Sequence, residues 1–287
     1  MATERLFGPV VADGSVTFRL WAPSAAAPSV EIEDWDPLPM SKDRDGVWTA
    51  LAVCSPGAKY RFRLADGTSV PDPASHAQSG DVTGPSLVVD QRTYAWRYPD
   101  WSGRPWHETV LLEVHPGLMG GFKGIAQKLP GLAALGITAI ELMPIGEFSG
   151  TRNWGYDGVL PFAPESSYGQ PDDLKAMIDD AHGLGMMVFL DVVYNHFGPD
   201  GNWLPTYAPE FFRDDIATPW GSAIDFRQPQ VRRFFIENAL HWQLDVSFRE
   251  DGARNRTDTG RTTSPSFDAA RWTWPGEMDS RVRCQSS

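Results

Sequence analysis

Residues 186–198, which read MMVFLDVVYNHFG, constrain the fold of this chain more than any other segment. The segment opens with an apolar run, which is followed by Asp191, Asn195 and His196. An apolar run without alternation is typical of a strand that is covered on both faces, as in a parallel sheet. Because α/β folds place their active sites at the carboxyl ends of such strands, these polar residues are candidates for a functional site.

Asp191 needs an explanation of its own. A carboxylate at the end of a buried strand loses water and costs free energy unless another group faces it. The segment therefore predicts a partner for Asp191 near the end of the strand. A structural aspartate that binds loop amides is an equally good interpretation of this stretch taken alone.

Charge and cysteine content exclude several classes of protein. The net charge of −12 over 287 residues disfavours nucleic acid and anionic membranes as partners. Cys54 and Cys284 lie far apart and outside any CxxC motif, so neither a disulfide framework nor a zinc site is predicted. The sequence lacks a signal-peptide pattern and any apolar run of roughly 18 residues. We expect a cytoplasmic protein without a cofactor or a metal ion.

Residues 1–100 show short alternating segments separated by Asp-Gly turns, such as SVTFRLW at residues 15–21. Alternation with period two predicts half-buried strands, and Asp-Gly pairs favour tight hairpins. Several strands at this spacing predict an all-β, immunoglobulin-like sandwich. Its tryptophans are candidates for binding glycan, although a role in packing is favoured while their exposure is unknown.

The periodicity changes after residue 107. Predicted strands at residues 109–114, 137–142 and from residue 186 alternate with predicted helices at residues 124–135, 171–183 and 228–244. Loops are predicted for residues 145–170 and between residues 196 and 228. Strand–helix units in this order predict a parallel sheet. The long loops suggest that residues 107–245 are the first three units, and so the first part, of a (β/α)8 TIM barrel.

Residues 191–196 read DVVYNH. This stretch looks like the first signature region of the α-amylase superfamily of retaining glycoside hydrolases, glycoside hydrolase family 13. Residues 153–157, NWGYD, and 162–169, FAPESSYG, resemble the loop after the second strand in glucan branching enzymes and maltooligosyl trehalose trehalohydrolases. The arrangement after His196 is more similar to the trehalohydrolase family. Residues 18–23, FRLWAP, resemble the sandwich of that family, which is similar to carbohydrate-binding module 48.

The resemblance implies an activity and a substrate. Enzymes of this family hydrolyse the α-1,4 bond next to the terminal trehalose of maltooligosyl trehalose and release trehalose. Retaining chemistry of this kind uses two carboxylates about 5 Å apart. In the family the nucleophile is the aspartate of a Gly-x-Arg-x-Asp pattern on the fourth strand, and the acid is a glutamate on the fifth. The implied partner of the chain is therefore an α-glucan or maltooligosyl trehalose.

The resemblance also implies roles for residues of this chain. Tyr156 would stack on the sugar at the cleavage subsite, and Asp191 would orient the fourth-strand arginine and nucleophile. His196 would hydrogen-bond a sugar hydroxyl. Trp154 and Asp157 are further candidate substrate contacts from the same loop as Tyr156.

The chain departs from the family pattern after residue 245. Residues 251–256 read DGARNR where the pattern requires Asp-Gly-Leu-Arg-x-Asp, so Arg256 occupies the position of the nucleophile. Residues 246–287 are rich in Arg, Thr, Ser and Asp, which predicts an aberrant or disordered tail, as after a shift of reading frame. We therefore expect a truncated or frame-shifted chain with an incomplete barrel and an incomplete catalytic site.

Three alternatives stay open at this point. The chain could be a relative of α-1,4-glucan branching enzymes, which share the Trp-Gly-Tyr loop. It could also be a non-catalytic α-glucan-binding module that uses the sandwich and Tyr156. Finally, it could be a gene remnant without a function.

Overall fold

The computed structural model describes residues 5–246. Its first part consists of short strands, and Asp13 and Gly14 connect the first two with φ angles of 49° and 75°. Tight two-residue hairpins require this left-handed conformation, so the predicted Asp-Gly turn is confirmed here. The strands are β1 (Val10–Ala12), β2 (Ser15–Trp21), β3 (Ser29–Ile32), β4 (Leu38–Pro39), β5 (Ser41–Lys42), β6 (Val47–Ala52), β7 (Lys59–Arg63), β8 (Ser69–Val70) and β9 (Ser86–Leu87).

These strands form two antiparallel sheets. One has the order β1-β2-β6-β5, and the other has the order β4-β3-β7-β8, with β9 also paired to β7. Alternate residues of β2 point inward, and Val16, Phe18 and Leu20 are buried. The two sheets pack against each other: the ring centroids of Phe18 in β2 and Tyr60 in β7 lie 4.7 Å apart.

The remaining elements alternate between strands and helices, with two added hairpins. In chain order they are β10 (Leu111–Val114), α1 (Pro116–Met119), α2 (Gly121–Ala134), β11 (Ala139–Leu142), β12 (Gly146–Glu147), β13 (Leu160–Pro164), α3 (Pro171–Gly183), β14 (Met187–Leu190), α4 (Leu204–Tyr207), β15 (Phe212–Thr218), β16 (Gly221–Ile224) and α5 (Pro229–Leu240). A π-helical turn, His241–Asp245, follows α5.

β10, β11 and β14 form a parallel sheet in that order. Their register places Glu113, Glu141 and Phe189 side by side. α2 and α3 connect the strands, and their apolar faces are buried against the sheet, as the helical spacing predicts. The predicted sequence of strands and helices is confirmed for these units, although α2 already begins at Gly121.

The prediction of unbroken loops is wrong in two places, where antiparallel hairpins are found instead. β12 pairs with β13 inside residues 145–170, and β15 pairs with β16 between residues 196 and 228. The hairpins depend on packing with distant residues, which a local pattern does not show. Phe162 of β13, for example, is buried with its ring centroid 5.1 Å from that of Phe234 in α5.

One hydrophobic core connects the N-terminal sheets to the later elements. The ring of Phe7 lies 5.1 Å from that of Phe234, and the ring of Trp21 lies 5.2 Å from that of Phe211. Buried side chains from both sides of the predicted boundary belong to this one cluster. The division into residues 1–100 and residues 107–245 stays a prediction.

Two sequence predictions concern residues outside this description. Arg256 and all of the predicted tail beyond Val246 lie outside residues 5–246. Within the described part of the chain, the helices are too short or too polar to cross a bilayer.

Asp179 fastens the segment that precedes β10 to helix α3. Its buried carboxylate accepts hydrogen bonds from the backbone N–H of Arg97 at 2.9 Å and of Tyr98 at 3.1 Å. The Nε of Arg97 lies 3.0 Å from the same carboxylate, and Nη2 reaches Asp180 at 2.7 Å. The bonds to Asp179 satisfy backbone donors, whereas the pair with Asp180 is a surface ion pair of the kind that contributes little stability.

Replacing Asp179 with alanine is expected to lower the free energy of unfolding by about 1–3 kcal/mol, because two backbone donors lose their acceptor. Asp180→Ala is the matched control, and it is expected to cost less than about 1 kcal/mol. Urea denaturation of both variants beside the unmodified chain measures the difference. Equal losses in the two variants would show that Asp179 is not the main attachment point.

Candidate active site

Asp191 lies directly after β14, at the carboxyl end of the parallel sheet. It is buried, with 7% of its surface exposed, and its Oδ2 accepts a hydrogen bond from the Tyr156 hydroxyl at 2.9 Å. The predicted need for a partner is thus met by a residue of the loop between β12 and β13. This bond brings together two of the predicted substrate contacts.

The loop that carries Tyr156 comprises residues 148–159, between β12 and β13. Asn153 holds it from inside, because its Oδ1 accepts from the backbone N–H of Gly155 at 2.8 Å and its Nδ2 donates to Asp157 Oδ2 at 2.8 Å. The backbone carbonyl of Asn153 lies 2.7 Å from His115 Nε2, which must donate because a carbonyl only accepts. The middle of the loop is therefore held by Asn153 from within and by His115, which follows β10.

His196 supports the same loop from below. It is 7% exposed, and its Nε2 donates to the backbone carbonyl of Tyr156 at 2.9 Å, while Nδ1 lies 3.0 Å from Asn195 Oδ1. The ring of Trp220 stacks on the imidazole with centroids 4.6 Å apart and planes 17° apart. Both ring nitrogens contact protein groups, so the predicted hydrogen bond to a sugar requires that one of these contacts is exchanged.

The environment of His196 favours its neutral form. Burial lowers the pKa of His196, and the hydrogen bond to Tyr156 and the charge of Asp157 only partly oppose this shift. A neutral imidazole has one N–H, and here that proton is used to hold the Tyr156 carbonyl. Nδ1 then accepts, so in the neutral form the Asn195 amide must turn to present Nδ2, not Oδ1, to it. His196 is therefore arranged as a loop support in this structure.

Trp154 and Asp157 are the solvent-facing members of the predicted set. Trp154 is 67% exposed, and its ring meets that of His115 edge-on, with centroids 5.8 Å apart. Asp157 is also exposed, and its carboxylate is held by Asn153. A large ring that is open to solvent on a loop with fixed neighbours suits contact with the flat face of a ligand.

A cleft lies beside Asp191 at the end of the sheet. Its walls come from the end of β14, from the loop through Gly155 and Gly158, and from Asn238 and Trp242 near the end of α5. Asn238 Nδ2 and Trp242 Nε1 donate to the carbonyl of Pro161 at 2.8 and 3.1 Å, which fixes this wall. Asp191 is the acidic group on the cleft.

Asn153 and Glu147 have no predicted role, although both hold the loop. The Asn-x-Gly spacing of Asn153 and Gly155 is typical of an asparagine that bonds backbone two residues on, and this signal could have identified Asn153. Glu147 lies at the base of the loop and is fully buried, which no local pattern indicates. Within residues 5–246 there is no group of three or more His, Cys, Asp or Glu side chains that could hold a metal ion.

A family profile described as the catalytic domain of α-amylase matches residues 61–268. The chain belongs to the α-amylase family. Its predicted similarity to trehalohydrolases within this family is confirmed by the relatives that match it.

The malto-oligosyltrehalose trehalohydrolase of Deinococcus radiodurans is 40% identical over 260 residues, which are 88% of this chain and 43% of that protein. The enzyme of the same name from Saccharolobus solfataricus is 37% identical over 255 residues, 86% of this chain and 45% of that protein. A solved structure of a Salmonella typhimurium protein described as an α-amylase has a TM-score of 0.83 and 44% identity, and it covers 88% of this chain and 46% of the other. The chain spans less than half the length of these α-amylase family relatives.

Gly155 tests how tightly the loop is held. Its φ is +93°, and a Cβ placed on it would lie 2.1 Å from the carbonyl oxygen of Pro144, whereas Gly150 in the same loop has φ +84° and open space around it. Gly150→Ala is expected to cost about 1–2 kcal/mol for the left-handed backbone alone. Gly155→Ala is expected to cost more and to weaken ligand binding, because the loop must move. Thermal unfolding of both variants measures this difference, and equal effects would contradict a tightly seated loop.

Proposed function

We propose that this chain is part of a retaining glycosidase that hydrolyses the α-1,4 bond next to the terminal trehalose of maltooligosyl trehalose. The observation that carries the proposal is the contact between Tyr156 and Asp191 at the carboxyl end of the sheet. Both residues stand in motifs that resemble those of the trehalohydrolases. The curated relatives that bear this name support the reaction, which belongs to proteins more than twice as long as the matched region.

Tyr156, Trp154 and Asp157 form the sugar-facing side of the proposed site. The ring of Tyr156 would pack on the sugar at the bond to be cleaved, and the exposed ring of Trp154 would contact a neighbouring sugar. Asp191 would orient the arginine and the nucleophile of the next strand. His196 would keep the Tyr156 backbone in place and exchange one contact when a sugar binds.

We interpret the two N-terminal sheets as an immunoglobulin-like sandwich similar to carbohydrate-binding module 48. The sheet β10-β11-β14 with its helices would be the first three units of a (β/α)8 barrel. We also place the protein in the cytoplasm, as its acidic composition and the nature of its implied substrate suggest.

We further propose that the 287-residue chain binds an α-glucan without cleaving it. The support is the sequence DGARNR at residues 251–256, in which Arg256 stands where the family pattern has the nucleophilic aspartate. A cation at this position cannot attack the anomeric carbon, and retaining chemistry needs a carboxylate there. A relative of branching enzymes is the second candidate, because its family shares the loop from Asn153 to Asp157.

The binding proposal can be tested on the aromatic residues of the loop. Trp154→Ala is expected to weaken binding to maltooligosaccharides by about 0.5–1.5 kcal/mol, or about 2- to 12-fold, because an aromatic contact is lost. Trp35→Ala is the control, since Trp35 is 49% exposed but lies in the N-terminal part of the chain. Affinity electrophoresis in amylose gels compares the variants. A loss with Trp35→Ala alone would move the binding site to the N-terminal sheets.

Turnover separates the catalytic alternatives. The unmodified chain, incubated with maltooligosyl trehalose, is expected to release no trehalose, although it binds the sugar. Trehalose release would overturn the assignment of Arg256 to the nucleophile position. Formation of α-1,6 branches from amylose would instead favour the branching enzyme.

A further inference from the structure

Glu147 is a buried carboxyl group at the base of the loop that carries Trp154 and Tyr156. It ends β12, is 0% exposed, and pairs with Leu160 across the hairpin. Its backbone carbonyl accepts from Val159 N–H at 2.8 Å, which closes the loop. The side chain turns to Ser166, whose backbone N–H donates to Oε2 at 2.7 Å and whose Oγ lies 3.1 Å from Oε1.

The hydroxyl of Ser166 lies between two oxygens. One is Glu147 Oε1, and the other is the backbone carbonyl oxygen of Gly80, which is the closer of the two. A serine hydroxyl has one proton to donate, and a carbonyl oxygen has none. The Ser166 proton therefore belongs in the bond to Gly80. The contact between Ser166 Oγ and Glu147 Oε1 then needs a proton from Glu147.

The charges around Glu147 favour the same assignment. Two acidic groups, Glu165 and Asp81, act on its charge. Glu165 accepts from the backbone N–H of Phe148 and Ser167, and Asp81 accepts from that of Gly150 and Val82, so backbone donors occupy oxygens of both carboxyl groups. Burial raises the pKa of Glu165 as well, although its bonds from Ser167 and Phe148 oppose that shift. Burial first, and then the charges of Glu165 and Asp81, raise the pKa of Glu147 to about 9, and the bonds from Ser166 only partly oppose the shift.

The segment 79–84 thereby holds the loop at two points. Gly80 is connected to the base of the loop through Ser166 and Glu147. Asp81 reaches the other side of the loop, where both carboxylate oxygens lie 3.1–3.2 Å from Gly150 N. The N-terminal part of the chain is thus attached directly to the loop beside Asp191.

We propose that Glu147 is a positioning residue that acts in its neutral form: its proton is donated to Ser166, the Ser166 proton is donated to Gly80, and this chain of bonds ties segment 79–84 to the base of the loop. The sugar-binding role of the loop rests on the function proposed above. The proton on Glu147 does not depend on that function, and it can be measured separately.

Infrared spectroscopy of the folded chain tests the proton directly. A difference spectrum between the unmodified chain and Glu147→Gln at neutral pH is expected to contain the carbonyl stretch of one protonated carboxyl group. In the unmodified chain this band is expected to disappear with a midpoint near pH 9, and in Glu165→Gln at a lower pH, because one acidic neighbour is gone. Absence of the band at neutral pH would overturn the proposal.

The pH dependence of thermal stability gives a second readout. An unfolded glutamate ionises near about pH 4.3, so unfolding releases the Glu147 proton between that pH and about 9. Stability from a raised pKa is complete below the unfolded value and is lost as pH rises. The Tm of Glu147→Gln should therefore exceed that of the unmodified chain by a margin that grows from about pH 5 to about pH 9.

Control variants separate the proton from simple packing. Glu33→Gln, at a half-exposed glutamate, is expected to show no growing margin. Glu147→Gln keeps a donor for Ser166 Oγ and an acceptor for Ser166 N–H, so it should retain maltooligosaccharide binding, whereas Glu147→Ala should lose both stability and binding. A Gln variant that fails to fold, or that is as unstable as the Ala variant at neutral pH, would show that Glu147 is ionised. If the unmodified chain shows the infrared band but does not bind maltooligosaccharides, the result would refute only the proposed sugar-binding role of the loop.

Discussion

The hydrogen bond from Tyr156 to Asp191 is the interaction on which the site depends. A carboxylate at the end of a buried strand has lost most of its water, and an unpaired one would destabilise the strand that carries it. The bond at 2.9 Å compensates for that loss and at the same time draws the loop of residues 148–159 over the end of the sheet. The need to pair one desolvated carboxylate thus connects the end of β14 to the loop above it.

The loop can lie this close only because its backbone meets other backbone directly. A Cβ on Gly198 would lie 2.0 Å from the carbonyl oxygen of Asp157, and Gly155 has a similar contact with Pro144. Gly198 N–H in turn donates to the carbonyl of Gly158 at 3.0 Å. Gly198 and His196 therefore both donate to backbone carbonyls of the loop of residues 148–159. The stretch that follows β14 packs closely against this loop.

The sheet could be predicted from the sequence because its signals are local. The apolar run into Asp191 and the helix start at Pro171 each depend on a few neighbouring residues, and both were found where expected. The hairpin at β12 and β13 could not be predicted, since the burial of Phe162 depends on Phe234, which is far away in the chain. The sequence predicts that a partner group faces Asp191, but only the fold shows that this partner is Tyr156. The family resemblance named Tyr156, Asp191 and His196 as residues of one site, and the structure shows which of them touch.

Two tryptophans of the N-terminal sheets serve packing, whereas Trp35 is 49% exposed and stays a candidate for binding glycan. Trp21 and Trp48 are buried, and their ring N–H groups donate to the carbonyls of Asp45 and Ala22 at 3.0 Å each, so these rings have no free face. The same part of the chain contributes Phe7 to the core beneath α5 and segment 79–84 to the loop beside Asp191. This region shares its core with β13 and α5, and segment 79–84 contacts the loop at two points, so a shift of the region would disturb the loop. Its contacts therefore help to hold the loop that carries Tyr156, and any sugar that it binds would be additional to this packing.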